Sequence, residues 1–251
     1  MDYYDKVHNA KNLNELFEVW KNKEPVPTDY TKDGKKVNIV INHRENVFIA
    51  DGIVNEDIWN SGQYKKILFV LKEARGDDWD DECTLVTWLK DDNPTINIWS
   101  RVARWVYGIQ NTTADFIPRY KPNLSSEEHS GALEQIAVMN IKKSNGQSQS
   151  EYAEIDAYAE KDCEELKKEF ALIDPDIVIC GSTFKTLRAK VFDRELQDID
   201  KSDNWYYYLN LDGKERLFID SYHPANRWPD LMNYYTITNI YQQALKEKIE
   251  K

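Results

Sequence analysis

The chain has 251 residues and a formal net charge of −11, from 44 Asp and Glu against 33 Lys and Arg. Its hydrophobic fraction of 41%, with 8 Trp and 15 Tyr, can fill a sizeable core and excludes wholesale disorder. The acidic balance sets up a long-range field of the wrong sign for a phosphate backbone, so any nucleic acid would have to be held by a local basic groove.

The three cysteines, Cys83, Cys163 and Cys180, lack metal-ligand spacing and read as the reduced thiols of a cytoplasmic protein. The sequence contains no C-x-x-C, H-E-x-x-H, Walker or G-x-G-x-x-G pattern, so neither a metal nor a cofactor is expected. No apolar run reaches the length of a bilayer span, and MDYYDKVHNAKNLNELFEVW lacks the basic start and apolar core of a secretory signal. A membrane partner is therefore not expected.

In chain order, residues 10–22 carry Leu13, Leu16, Phe17 and Trp20 at helical spacing. Residues 36–50 read as two short strands, KVNIVIN and NVFIA, around a His43-Arg44-Glu45 turn. Residues 1–60 are thus expected to form an extension, a helix plus a short hairpin, packed on a main domain over 61–251. In that domain KILFVL (66–71) reads as a fully buried strand. An amphipathic helix follows over 94–109, with Ile98, Trp99, Val102, Trp105, Val106 and Ile109 on one face. IAVMN (136–140) is a second strand, 151–172 one long helix, DIVIC (176–180) a third strand and 183–192 a helix. WYYYLNL and KERLFID flank Asp212-Gly213 as a hairpin whose second arm is the fourth strand, and a helix from about 229 ends the pattern. Alternating strands and helices predict a three-layer α/β/α fold around a four-stranded, mostly parallel sheet.

In such folds ligands sit beyond the carboxyl ends of the strands. Those ends carry Lys72-Glu73-Ala74-Arg75-Gly76-Asp77-Asp78, Asn140-Ile141-Lys142-Lys143-Ser144, Gly181-Ser182-Thr183 and Ser221-Tyr222-His223-Pro224-Ala225-Asn226. One amide, one imidazole, several hydroxyls and a carboxylate suit a planar polar ligand such as a nucleobase: an Asn amide offers a donor and an acceptor, and a neutral His can donate to a developing oxyanion.

FIDSYHPAN resembles the second signature motif of the uracil-DNA glycosylase superfamily. IAVMN is similar to the family strand whose Asn reads the uracil edge, and DIVICGS resembles the third strand with its Gly-Ser. The ordered set spans roughly residues 65–248. The resemblance implies a uracil-DNA glycosylase-like fold and hydrolysis of the N-glycosidic bond of a damaged base in DNA, a base-excision step needing no cofactor. By the same resemblance Asn140 binds the base, His223 stabilises negative charge on its carbonyl, Gly181 lets backbone approach and Ser182 touches a phosphate. Asn226 adds to the substrate contacts, while Arg227 and Trp228 occupy the place of the loop that wedges into the duplex. The first motif departs from the family, with Lys72, Glu73 and Ala74 where a Gly, a polar residue and an Asp or Asn are expected. Glu73 or Asp77 is then the residue to orient the water, with Lys72 at the substrate.

Each of these residues also has a plainer reading. His223 before Pro224 can simply end a strand, Asn140 can form a turn, and Lys72 and Glu73 can make a structural ion pair. The run Asp77 to Glu82 can be a solvated loop or can bind a hard cation, which would make a metal-dependent phosphohydrolase. Lys142, Lys143, Lys185, Arg188, Lys190 and Arg194 can form a basic rim or a solvated face. Trp79 and Trp88 can stack on a base, although Trp88 in TLVTWL suits a core. A second functional reading keeps the fold as a non-catalytic binder of a nucleobase, nucleotide or DNA.

Overall fold

The computed structural model describes residues 2–75, 84–146, 150–193 and 205–250. It is an α/β structure built on a mixed six-stranded sheet with helices on both faces. The chain opens with helices α1 (Tyr3–Asn9) and α2 (Leu13–Lys21), then a hairpin of β1 (Val26–Lys32) and β2 (Lys35–Ile41). It continues through β3 (Gly52–Ile53), α3 (Glu56–Asn60), β4 (Ile67–Arg75) and α4 (Leu85–Thr87), which runs into a π-helical turn at Trp88–Asp92. Next come α5 (Asn97–Asn111), α6 (Ser126–Glu134), β5 (Ile136–Gly146), α7 (Tyr152–Lys161), α8 (Cys163–Ile173) and β6 (Ile177–Gly181). Helix α9 (Phe184–Thr186), the β7 (Tyr206–Leu211) and β8 (Lys214–Ser221) hairpin, and α10 (Asp230–Glu250) complete it.

The sheet order is β3-β5-β4-β6-β8-β7. The four strands expected from the sequence, β5, β4, β6 and β8, are mutually parallel. The two edge strands pair antiparallel, so the sheet is wider than the four strands expected. Alternate residues of the central strands go to opposite faces. Leu68, Val70, Met139 and Val178 pack towards α2 and α8, while Phe69, Val138, Ile179 and Ile219 pack towards α5 and α10. Because both faces are covered, the strands carry continuous apolar runs.

Three expectations need correction. The N-terminal hairpin is β1 with β2, turning at Asp33 and Gly34, not KVNIVIN with NVFIA. The latter segment instead runs along the edge of β5, with a bridge from Phe48 to Ser144 and an Ile49 N–H donating to Lys143 O at 2.6 Å. Gly52 and Ile53 then pair with Val138 and Ala137, so the N-terminal segment joins the main sheet. Third, the long helix over 151–172 is broken into α7 and α8 at Asp162. The Asp162 carboxylate is fully buried, 2.9 Å from Lys23 Nζ and 2.9 Å from His43 Nε2. Lys23 also meets Glu165 at 2.7 Å, and the Tyr3 hydroxyl donates to that carboxylate. Burial works against ionisation of Asp162, but His43 and Lys23 outweigh it and hold its pKa below the usual carboxylate range.

A second buried charge group lies under the edge of the sheet. Lys143, fully enclosed, sits 2.6 Å from Asp51 Oδ1 and 2.8 Å from Glu169 Oε1. Burial opposes the charge on the Lys143 ammonium, yet the two carboxyls together raise its pKa. Burial, reinforced by Asp51, pushes the Glu169 carboxyl well above its ordinary value, against the pull of Lys143. This predicts an asymmetry. Lys143→Met, which leaves two buried carboxyls without their ammonium, should cost about 3–5 kcal/mol, whereas Glu169→Gln, which puts a neutral group of the same shape where burial already opposes ionisation, should cost less than about 1 kcal/mol. Denaturant unfolding of the two variants checks this.

Candidate functional site

The parallel register brings the expected residues together. Leu71 pairs with Asn140, Glu73 with Lys142, and Gly181 with Ser221. The chain segments that leave these strands therefore meet at one level. There they line a cavity of about 470 Å³, within the range of about 300–1,000 Å³ typical of small-molecule sites. Asn140, His223, Lys72 and Glu73 all border it. Its apolar wall is Leu85, Trp88, Ile96, Ile98 and Trp99, with Trp88 edge-on to Trp99 at 6.4 Å between ring centres. Trp88 thus belongs to the cavity and is only half-buried. A larger groove of about 800 Å³, beside Lys65, Gln135 and Asp176, lies at the opposite ends of the strands, and no unpartnered buried polar side chain among the described residues borders it.

Asn140 is 2% exposed. Its backbone N–H donates to Asp51 Oδ2 at 2.6 Å, and its Nδ2 lies 3.2 Å from the same oxygen. Its Oδ1 is buried with no partner among the described residues. A buried acceptor without a donor carries a desolvation cost, which a ligand N–H placed there would remove.

His223 takes its tautomer from the loop that follows it. The Ala225 N–H donates to Nδ1 at 3.1 Å, so Nδ1 carries the lone pair and the ring proton sits on Nε2. Burial, and then the positive charge of Lys72, lower its pKa to about 4. It is therefore a neutral Nε2–H donor at pH 7. The Lys72 ammonium itself lies over the Tyr152 ring, 4.6 Å from the centroid.

The Gly181-Ser182 turn supports this imidazole. A Cβ on Gly181 would fall 2.7 Å from Leu71 Cδ2 and 3.2 Å from Pro224 Cδ, so a larger residue there would have to displace the Leu71 side chain and crowd the Pro224 ring. Ser182 adopts φ 60°, and its Oγ accepts from the His223 N–H at 3.0 Å. The hydroxyl expected at a phosphate thus braces the histidine. Asn226 is likewise turned into its own loop, donating to His223 O and Asn233 Oδ1 and accepting from the Trp228 N–H and Asn233 Nδ2. It does not border the cavity. Arg227 and Trp228 are exposed on this loop, Trp228 at 54%.

Glu73 borders the cavity, but its Oε2 is 3.0 Å from Lys142 Nζ, which also pairs with Glu154 at 2.9 Å. Asp77, and with it the acidic run to Glu82, Trp79 and Cys83, lies outside the described residues. Among the described residues no group of three or more His, Cys, Asp or Glu is arranged to hold a metal ion, and no helix is long and apolar enough to cross a membrane. The basic rim is corrected as well. Lys143 is enclosed, Lys142 is ion-paired, Arg188 is buried and Lys190 pairs with Glu160 at 3.1 Å, leaving Lys185 exposed, with Arg194 outside the described residues.

Two residues of the site were not legible beforehand. Asp51 reads locally as the first half of an Asp-Gly turn. Arg101 lies among apolar neighbours of α5, and its guanidinium donates to Pro224 O, Asn226 O, Trp228 O and Asp230 Oδ1. The only hint was a charge on the inward side of an amphipathic helix.

The His223 environment sets a pH signature. Its folded pKa lies below the unfolded value of about 6.5, so its contribution to stability is complete above pH 6.5 and declines as pH falls towards 4. NMR titration of the His223 ring should give a midpoint near 4, and Lys72→Met should raise it only part of the way to 6.5, because burial is the larger cause. A wild-type midpoint at 6.5 would contradict the enclosed, neutral imidazole. A scan of the sequence against family models and a search of curated proteins find no match.

Proposed function

We propose that the cavity at the strand ends receives a nucleobase and that the protein is a divergent uracil-DNA glycosylase-like hydrolase acting on a non-standard base in DNA. The observation that carries the proposal is a pairing within one cavity: an unpartnered, buried Asn140 acceptor and a neutral His223 donor. Such a pair addresses a ring N–H and a ring carbonyl, and the Trp88 and Trp99 wall suits a flat heterocycle.

In this reaction the bond between C1′ of the sugar and the ring nitrogen breaks, and its electron pair leaves with the base. The negative charge spreads onto the base carbonyls. His223 Nε2–H donates to the oxygen where that charge grows, and being neutral beforehand it needs no proton transfer to act. Water bonds to C1′, and its proton ends on the base or in solvent. The loop after His223 supports contact with DNA, because Arg101 and Asn233 hold its carbonyls while Trp228 stays exposed to enter a stack.

One observation favours a second reading, a binder that does not cleave. Glu73, the described carboxylate at the cavity, is held by Lys142 and is not free to orient water. Release of base from single- and double-stranded uracil-containing DNA, measured with chelator present, separates the two. Cleavage by the wild type that falls about 10²–10³-fold in His223→Ala supports the hydrolase, that being the usual cost of one oxyanion donor. Retained base binding without cleavage supports the binder.

A further inference from the structure

The geometry points to Asp51 as the residue that decides which edge of a base the cavity accepts, by fixing the Asn140 amide with its oxygen towards the ligand. The inference rests on the nucleobase reading above and deepens it. An Asn amide is nearly symmetrical in shape, so packing alone does not choose between its two orientations; hydrogen bonds do. Here the choice is forced. Asp51 Oδ2 accepts the Asn140 backbone N–H at 2.6 Å, a donor that cannot be turned round. That oxygen is therefore an acceptor, and only Nδ2 of the side chain can face it, at 3.2 Å. The reversed amide would set oxygen against oxygen and lose that bond.

Asp51 cannot swing aside to allow the reversal. Its other oxygen receives Lys143 Nζ at 2.6 Å, and Lys143 is held in turn by Glu169, with all three side chains fully buried. Oδ1 of Asn140 is left as the unpartnered atom, and one Nδ2 hydrogen remains for a neighbouring acceptor. An acceptor beside a donor matches a ring N–H next to a carbonyl, the lactam edge of a uracil-type pyrimidine or a 6-oxopurine. It opposes the lone-pair nitrogen beside an amino group that cytosine and adenine present. Asp51 is a positioning residue, supplied by the N-terminal segment.

The test compares binding of 1-methyluracil, 1-methylcytosine and 1,3-dimethyluracil to the full chain by ligand-observed NMR. Methylation at ring position 1 removes the N–H that a glycosidic bond would occupy. The wild type should prefer 1-methyluracil over each of the others by about tenfold or more, the usual effect of leaving a buried polar group unpaired. Asp51→Ala should lose that preference. Asp51→Asn combined with Lys143→Met, in which the amide's one oxygen is free to face the Asn140 N–H, should keep it, whereas Asp51→Ala combined with Lys143→Met should not. Both pairs remove the same two charges, so a merely structural Asp51 predicts the same outcome for both.

A preference retained in Asp51→Ala overturns the role of Asp51 and leaves the pocket reading standing. Wild type that binds none of the three overturns the pocket reading and this inference with it. If Asp51→Ala does not fold, a neutron crystal structure of the wild type with 1-methyluracil, which shows the amide hydrogens directly, decides. Asn140 Oδ1 on the ring N–H with Nδ2 on Asp51 is expected, and the opposite arrangement overturns the inference.

Discussion

An ammonium group enclosed in protein must be compensated on the spot, and Lys143 shows how far that demand reaches. It stands on β5 among Phe17 and Trp20 of α2, with its charge 5.5 and 5.3 Å from their rings. Its partners come from distant stretches of chain, Asp51 from the N-terminal segment and Glu169 from α8. Meeting one charge therefore docks the N-terminal segment and a helix on the same strand. The Lys23, Asp162 and Glu165 group repeats the arrangement a short way along α8 and breaks the α7–α8 path at Asp162. Such groups add little net stability compared with apolar packing, but they penalise any other docking heavily, and so they specify the arrangement.

The same constraint reaches the cavity. Asp51 faces Lys143 with one oxygen and Asn140 with the other, so charge compensation on one side of the sheet fixes an amide on the other. His223 is set by similar means, through a backbone N–H on Nδ1 and the Ser182 hydroxyl on its own N–H. Both polar groups offered to a ligand are thus oriented before it arrives, which lowers the cost of organising them on binding. Arg101 extends this order to the exposed loop, where one guanidinium holds three carbonyls and the Asp230 carboxylate.

Much of this fold could be read in advance, for an identifiable reason. Strands buried on both faces must be apolar throughout, so KILFVL, IAVMN and DIVIC stood out, and the residues that end such runs gather at one side of a parallel sheet. The Asp212-Gly213 turn was equally plain, since φ values of 53° and 80° favour that pair. Helix α6 carries a capping box of Ser125 and Glu128, but its apolar face is weak, so periodicity does not predict it. The N-terminal hairpin turns earlier than KVNIVIN and NVFIA predict: in β1 the half-buried Val26, Thr28 and Tyr30 alternate with exposed Pro27 and Asp29, but none is fully buried and Thr28 is polar, so the apolar signal is faint.

The sequence by itself determined the alternation of strands and helices, the order of the polar segments at their ends, and the nomination of Asn140, His223, Lys72 and Glu73 to one place. These follow from local periodicity and from the geometry common to parallel sheets. Only the tertiary structure decided what those residues can do. It paired Glu73 with Lys142, turned Asn226 and Ser182 into supports, put the proton of His223 on Nε2, and brought Asp51 against Asn140. Protonation state and amide orientation are set by partners far apart in the chain. Asp51 and Asn140 are separated by 89 positions, a distance over which no local pattern carries information.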